Sequence, residues 1–139
     1  MSKSLRPVWG IFIVLCVVVG VSMVAKAMRP KEIVPWRTDF AASVEEARRE
    51  NKPVMAYFTA TWCGPCQTLK HTTWADKGVA AALEKFVPVK IDVDRQPELA
   101  QKYVTEGIPA YAIIDPGGTH RRSAAGALPP ADFLAWLKS

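Results

Sequence analysis

The chain has few of the residues that bind metal ions. Its 139 residues include three cysteines and two histidines. A structural zinc site needs about four ligands of these kinds. Cys63 and Cys66 are neighbours in the sequence, but Cys16 lies in an apolar segment, and His71 and His120 are isolated. A closed zinc site cannot be assembled convincingly from this set, and we expect neither a metal nor another cofactor.

A strong positive charge is also missing from most of the chain. The formal net charge is +5, but Lys3, Arg6 and Lys26 near the N-terminus supply three of these charges. Met28–Ser139 holds 15 basic and 13 acidic residues. Proteins that bind nucleic acids have a concentrated basic surface, so nucleic acid is not an expected partner. The length allows one domain with an appendage.

Charge is absent from a long apolar segment near the N-terminus. Pro7 to Ala25 are 19 residues without a charged side chain. As a helix, this segment would be about 28 Å long, close to the thickness of a bilayer core. The alternative is the core helix of a soluble domain, but the segment is apolar on all sides and has basic residues on both flanks. We therefore expect residues 1–27 to be a membrane anchor or an export signal.

Retention of this leader is the next question. Ala25-Lys26-Ala27 fits a signal-peptidase site, whereas the apolar run exceeds the roughly 7 to 15 residues usual for a signal peptide. We favour a retained single-pass anchor in the cell membrane, with secretion after cleavage near Ala27 as the alternative. The balance of flanking basic residues does not determine the orientation. The short basic N-terminal tail resembles a signal anchor that exports the rest of the chain to the periplasmic side.

Pro30 and Pro35 predict a short, stiff linker over residues 28–35, followed by a domain over residues 36–139. Within the domain, predicted helices alternate with apolar strands, which indicates an α/β fold with one mixed sheet and helices on both faces. The predicted helices are Phe40 to about Asn51, a helix from Cys63, Val79–Lys85, Glu98–Tyr103 and Ala131–Lys138. The predicted strands are Val54–Thr59, Phe86–Val93, Ala110–Ile114 and His120–Ala124.

Residues 54–66 lead from a strand directly into a two-cysteine turn. The strand Val54–Thr59 is short, apolar and rich in β-forming residues. A helix is expected to begin at or just after Cys63, and Pro65 suits its first turn because a missing N–H costs nothing there. A C-x-x-C pair between a strand and a helix is typical of a redox dithiol. Half of a zinc site and two buried core thiols are the alternative interpretations of Cys63 and Cys66.

Trp62-Cys63-Gly64-Pro65-Cys66 resembles the active-site sequence of the thioredoxin family. Gly107-Ile108-Pro109 resembles the family's loop in which a cis proline packs against the dithiol, and Phe86–Asp94 resembles its central strand. The similarity covers about residues 36–138. Asn51-Lys52-Pro53 and Thr73-Trp74-Ala75-Asp76 are more similar to the exported thioredoxin-like domain of the bacterial transmembrane thiol:disulfide interchange reductase than to cytosolic thioredoxin.

The resemblance implies a thioredoxin-like fold and a thiol:disulfide oxidoreductase with a redox disulfide between Cys63 and Cys66. Cys63, at the positive end of a helix, would be the attacking thiolate, and Cys66 the resolving thiol. The residues expected to support them are Trp62, Gly64, Pro65, Ile108 and Pro109. Of these, Pro109 is expected to follow a cis bond and to face the Cys63 sulfur.

Gly64-Pro65 and Ile108 resemble the reducing members of the family, so we expect a membrane-tethered, exported reductase of protein disulfides. Its expected partners are proteins with thiols or disulfides, the membrane, and an upstream electron donor, for which a membrane reductase is one candidate. A monomer is expected. A disulfide oxidant or isomerase stays open as an alternative, and so does a non-catalytic thioredoxin-like module that senses redox state in a membrane complex.

Tyr57 departs from the family pattern, because thioredoxins usually have a buried aspartate six positions before the first cysteine. A phenol cannot readily take over the proton handling of a carboxylate, so we interpret Tyr57 as a strand-packing residue. Lys90 matches the family's lysine on the neighbouring strand, but its usual acidic partner is missing. Deprotonation of Cys66 is then expected to depend on water or on another group.

Overall fold

The computed structural model describes residues 6–104 and 106–139; Lys3, one of the predicted flanking charges, lies outside this part. The first element is a 22-residue helix, α1 (Arg6–Ala27). Its segment Val8–Ala27 has a mean hydropathy of 2.7, and none of it is buried. Among the described residues, α1 is the one helix with the length and composition to cross a membrane, which a signal sequence also has.

The domain is built on a four-stranded mixed sheet. Its strands are β1 (Val54–Thr59), β2 (Val87–Asp92), β3 (Ala110–Ile114) and β4 (His120–Ala125). The strand order is β2-β1-β3-β4. β1 pairs with β2 in parallel, whereas the pairs β1 with β3 and β3 with β4 are antiparallel. The predicted α/β fold with one mixed sheet is confirmed.

Within the described residues, five helices surround the sheet: α2 (Phe40–Glu50), α3 (Gly64–Leu69), α4 (Lys77–Leu83), α5 (Pro97–Tyr103) and α6 (Pro130–Lys138). α2 is followed by its cap residue Asn51, whose φ of 52° lies in the left-handed region that asparagine tolerates. α4 begins two residues earlier than predicted, because the Asp76 carboxylate accepts a hydrogen bond from the Val79 N–H at 2.9 Å and caps the helix. A short 3-10 turn at Thr73–Ala75 was not predicted.

Side chains alternate between the two faces of the sheet, as the period of a strand requires. Along β1, Met55 and Tyr57 point to the face covered by α3, α4 and α6, which we call the aromatic face. Val54, Ala56 and Phe58 point to the opposite face, which α2 and α5 cover and which we call the aliphatic face. Both faces are therefore buried, which accounts for the continuous apolar sequence of β1.

Part of the predicted linker is packed against the domain. Val34 is only 6% exposed and belongs to the core of the aromatic face. The Ile33 N–H donates to the Trp74 carbonyl at 2.8 Å. Arg37 pairs in parallel with the outer edge of β2, where its N–H donates to the Pro88 carbonyl at 2.9 Å. The edge strand of the sheet is thereby covered by the chain that arrives from α1.

Candidate active site

The two cysteines of the C-x-x-C turn form a disulfide at the point where β1 passes into α3. The Cys63 and Cys66 sulfurs are 2.04 Å apart, and their Cα atoms are 5.3 Å apart. Cys63 is 3% exposed and Cys66 is fully buried. β1 ends at Thr59, so the rigid centre of the sheet fixes the position from which the turn begins.

The first turn of α3 directs a backbone donor at Cys63. Cys63 is the N-cap residue, with extended backbone angles, and the Cys66 N–H lies 3.3 Å from the Cys63 sulfur. Pro65 occupies the first turn, where its missing N–H leaves no bond unmade. In the reduced protein, the same N–H and the helix terminus would stabilise a thiolate on Cys63.

Apolar groups enclose the disulfide, whereas Gly64, between the two cysteines, is exposed. Ala60 is buried with the two cysteines, and Val93 and Ile108 pack against this cluster. A Cβ atom built on Gly64 would meet no heavy atom within 4 Å. A partner can therefore approach the turn from the side of Gly64.

The loop at residues 107–109 packs near the dithiol although it is about 40 residues away in the sequence. Ile108 packs against the cysteine cluster, and the peptide bond between Ile108 and Pro109 is cis. Pro109 is buried, and its carbonyl accepts a hydrogen bond from the Gly126 N–H at 2.8 Å. The structure thus brings Ile108 to Cys63 and Cys66, while contact of Pro109 with the Cys63 sulfur stays a prediction.

Trp62, immediately before the first cysteine, lies on the surface and is 67% exposed. Its indole N–H donates to the Asp94 carboxylate at 2.8 Å, which fixes the ring beside the turn. The sequence interpretation missed Asp94. A signal was available, because β1 and β2 are parallel neighbours and the residues that follow them meet at the same edge of the sheet.

Tyr57 is 1% exposed and is enclosed by aromatic rings. Its ring centroid lies 4.8 Å from that of Trp74, 5.3 Å from that of Trp36 and 5.9 Å from that of Tyr111. Burial raises the pKa of Tyr57 above its ordinary value, so the phenol stays protonated at neutral pH. No group of the described residues is in hydrogen-bonding geometry to its hydroxyl. These surroundings agree with the interpretation of Tyr57 as a packing residue.

Lys90 has an acidic partner that the sequence did not reveal. The Glu32 carboxylate, which comes from the chain after α1, lies 2.6 Å from the Lys90 amino group. The amino group also lies 5.4 Å from the ring centroid of Trp36. Lys90 lines a surface cleft together with Ala60 and Gln67, which belong to the dithiol turn and to α3. The chain after α1 therefore contributes a charge close to the site.

In the described residues, no three or more histidine, cysteine, aspartate or glutamate side chains are grouped in a way that could hold a metal ion. The disulfide and its apolar surroundings are the chemistry that the site offers.

A family model described as thioredoxin-like matches residues 35–116. This chain belongs to the thioredoxin-like family. The matched range contains the dithiol turn, the 107–109 loop and three of the four strands, so the resemblance seen in the sequence is confirmed.

Named relatives and solved structures agree with this membership. The chain is 37% identical over 93 residues to the chloroplastic thioredoxin Y2 of Arabidopsis thaliana, covering 66% of this chain and 53% of the relative. It is similar to a disulphide isomerase from Xylella fastidiosa (25% identity, TM-score 0.64, 76% of this chain and 95% of that one). It is also similar to the oxidised DsbD c-terminal domain of Neisseria meningitidis (26% identity, TM-score 0.61, 74% and 97%). The chain spans about half the length of the first curated relatives it matches.

Proposed function

We propose that this chain is a membrane-tethered, exported thiol:disulfide oxidoreductase that reduces disulfide bonds in other proteins. The observation that carries the proposal is the disulfide between Cys63 and Cys66 at the first turn of α3. The open space at Gly64, between the two cysteines, leaves room for a protein substrate beside the turn. Membership of the thioredoxin-like family supports the same chemistry.

Reduction proceeds by two thiol–disulfide exchanges. The Cys63 thiolate attacks one sulfur of the substrate disulfide, which forms a mixed disulfide and releases the other substrate sulfur as a thiolate. Cys66 then loses its proton, and its thiolate attacks the Cys63 sulfur and releases the second substrate thiolate. Two electrons pass from the dithiol to the substrate, and the Cys63–Cys66 disulfide is the oxidised product, which a thiol donor must reduce again.

The two cysteines have different roles because of their positions in α3. Cys63 precedes the helix, and its sulfur accepts a hydrogen bond from the Cys66 N–H. Its thiolate is therefore stabilised and is a good leaving group when Cys66 resolves the mixed disulfide. Cys66 is fully buried one turn further in, where a substrate sulfur cannot reach it directly. Trp62, Gly64, Pro65, Ile108 and Pro109 shape the surface on which the substrate lies.

The membrane part of the proposal rests on α1, which is apolar, exposed and long enough to span a bilayer. We assign residues 1–27 to a retained anchor, 28–35 to a linker and 36–139 to the thioredoxin-like domain on the periplasmic side. Secretion after cleavage near Ala27 is the alternative. The protein acts as a monomer, and its electron donor is a membrane reductase.

A disulfide isomerase is the second candidate, favoured by the similarity to the Xylella fastidiosa protein. Gly64-Pro65 and Ile108 favour the reductase. An isomerase reshuffles wrong disulfides in a scrambled substrate and leaves the number of free thiols unchanged, whereas a reductase increases that number. Counting the free thiols of the substrate at the end of the reaction separates the two.

The proposal is tested by reduction of insulin by dithiothreitol with the full chain in detergent micelles. We expect the wild-type protein to accelerate the reaction and Cys63→Ser to show only the background rate. Cys66→Ser, reduced first and freed of dithiothreitol before insulin is added, should accumulate a mixed disulfide. Cys16→Ser is the matched control and should keep full activity, because Cys16 lies in α1 away from the site. A wild-type rate equal to that of dithiothreitol alone would contradict the proposal.

A further inference from the structure

The chain makes its first contact with the domain within a few residues of the end of α1. Helical hydrogen bonding continues to Met28, whose N–H donates to the Val24 carbonyl at 3.0 Å. The next contact with the domain is at Pro30, whose carbonyl oxygen lies 2.6 Å from His71 Nδ1. Because a carbonyl only accepts, this ring nitrogen carries the proton. Only Arg29 therefore separates Met28, the last residue with a helical hydrogen bond, from Pro30, the first residue that contacts the domain.

This first attachment lies at the end of the helix that carries the dithiol. His71 comes two residues after α3, and its N–H still bonds to the Thr68 carbonyl at 3.0 Å. Arg29 lines a shallow surface groove with side chains of the same region, namely Gln67, Thr68, His71 and Thr72. The C-terminal end of α3 therefore faces the chain that emerges from α1.

The covalent path sets an upper limit on the distance between α1 and the dithiol. Ala27 and Pro30 are three residues apart, which is at most about 10 Å of extended chain. Cys66 and His71 are five residues apart in helical turns, which is at most about 10 Å more. With the Pro30 carbonyl, the 2.6 Å hydrogen bond and the side chain of His71 included, Cys66 lies within about 30 Å of the last residue of α1, whatever the direction of α1.

Further contacts prevent the domain from swinging out on this segment. The Ile33 N–H bonds to the Trp74 carbonyl at 2.8 Å, and Val34 is buried in the aromatic face. Glu32 forms its ion pair with Lys90 at 2.6 Å. A free linker of eight residues would add up to about 28 Å of reach, but the docked chain adds almost none.

We infer that the dithiol exchanges electrons with disulfides held close to the bilayer, and that its redox partner is a membrane protein whose reactive cysteines lie within about 30 Å of the membrane surface. This inference rests on the proposed function and on retention of α1. A tethered site reacts at a high effective concentration with groups it can reach, and hardly at all with groups beyond its span. The short chain between α1 and the domain thus selects redox partners by the distance of their cysteines from the membrane surface.

The test uses the full chain reconstituted in liposomes with membrane-spanning reporter helices. Each reporter presents a fluorescence-quenched disulfide on a stiff helical spacer, either about 15 Å or about 60 Å above the bilayer. We expect the reduced wild-type protein to react with the near reporter at least about 10-fold faster than with the far one. A flexible insertion of about 20 Gly and Ser residues between Met28 and Arg29 lies outside the docked segment and should bring the two rates within about 2-fold.

The same insertion placed after Ser139 is the matched control and should leave the wild-type preference unchanged. Equal rates for both reporters with the wild-type protein would overturn the inference, and so would an unchanged preference after the insertion at Met28. A soluble disulfide assayed in parallel tests the chemistry alone. If all variants reduce it equally, a missing preference refutes the reach argument and leaves the proposed function standing; if none reduces it, the proposed function itself has failed.

Discussion

The two faces of the sheet are buried to the same degree but are built differently. The aliphatic face is made mostly of alanine, valine and isoleucine side chains from the strands, with Phe58 and Tyr103 as its buried rings. The aromatic face contains a connected group of rings, which are Trp36, Tyr57, Trp74, Tyr111, Phe133 and Trp136. The aromatic face also takes up Val34 and the chain that arrives from α1.

The faces differ in how well their polar atoms are satisfied. Three buried polar atoms of the aromatic face have no hydrogen-bond partner within the part of the chain that the structure describes; they are Trp36 Nε1, Trp74 Nε1 and the Tyr57 hydroxyl. Each such group costs about 1–3 kcal/mol when it is buried unpaired. The aromatic face is therefore held together by ring packing in spite of its polar atoms. The aliphatic face, with small side chains and plain strand pairing, is the part whose sequence pattern is simplest to interpret.

The largest effect is expected from removing the central ring of the aromatic face. Trp74 is fully buried in contact with Trp36, Tyr57, Tyr111 and Phe133. Trp74→Ala should lower the free energy of unfolding by about 3–5 kcal/mol. Trp62→Ala is the control, because its ring is 67% exposed, and it should change stability by less than about 0.5 kcal/mol. Urea unfolding of the full chain in micelles measures both, and equal losses would refute the central role of Trp74.

The second effect concerns the chain that arrives from α1. Val34→Ala removes two buried methyl groups from the aromatic face and should cost about 2 kcal/mol. The neighbouring Ile33→Ala should cost much less, since the Ile33 side chain is 48% exposed and its backbone bond to Trp74 is kept. If Val34→Ala were as mild as Ile33→Ala, the docking of this segment would contribute little to the fold.

A loss of stability at alkaline pH is expected from the buried tyrosines. Burial raises the pKa of Tyr57 and of Tyr111 above the ordinary value near 10. The folded protein therefore keeps these protons to higher pH than the unfolded chain does, so the stabilisation is complete below about pH 10 and is lost progressively as the pH rises above it. Each tyrosine should contribute a slope of up to about 1.4 kcal/mol per pH unit. Unfolding free energies of the wild type and Tyr57→Phe between pH 9 and 11 check this, and identical slopes would contradict it.

The smallest effect is a difference in stability between the Tyr→Phe variants of two tyrosines whose rings stack in the aromatic face, with centroids 5.9 Å apart. The Tyr111 hydroxyl donates to the Gly126 carbonyl at 2.8 Å, whereas the Tyr57 hydroxyl has no hydrogen-bond partner in residues 6–104 and 106–139. At neutral pH, Tyr111→Phe should lose about 1 kcal/mol, and Tyr57→Phe should be neutral or slightly stabilising. A clear loss of stability in Tyr57→Phe would show that its hydroxyl is bonded. If Tyr57 only packs, the same variant should also show the wild-type rate in the insulin assay.

Most of the fold could be predicted from local sequence patterns. The bounds of β1 and β3 agree with the prediction to the residue, because each is a short apolar run that ends at turn-forming residues. The dithiol turn was predictable because strand, C-x-x-C pair and helix are consecutive in the chain. The 107–109 loop could be placed at the site only through the family resemblance, since it lies far from Cys66 in the sequence.

The contacts that escaped prediction join distant parts of the chain. Glu32 and Lys90 are 58 positions apart, and no local pattern indicates that a charge beside a predicted linker will meet a lysine on a strand. The docking of Ile33 on Trp74 is a backbone bond, which carries no side-chain signature. The contact of Asp94 with Trp62 is different, because it follows from the pairing of two strands. Trp62 follows β1 and Asp94 follows β2, and the motif around Trp62 does not indicate that these two strands are parallel neighbours.

The reduction potential of the dithiol tests most directly whether the protein is a reductase of disulfides. The full chain in micelles, with Cys16→Ser to leave one thiol pair, is equilibrated with mixtures of reduced and oxidised glutathione, and the reduced fraction is measured after alkylation of free thiols. Because Gly64-Pro65 and Ile108 resemble the reducing members of the family, we expect about −270 mV, the thioredoxin range. A value above about −180 mV would place the protein among disulfide isomerases and oxidants and would contradict a reductase.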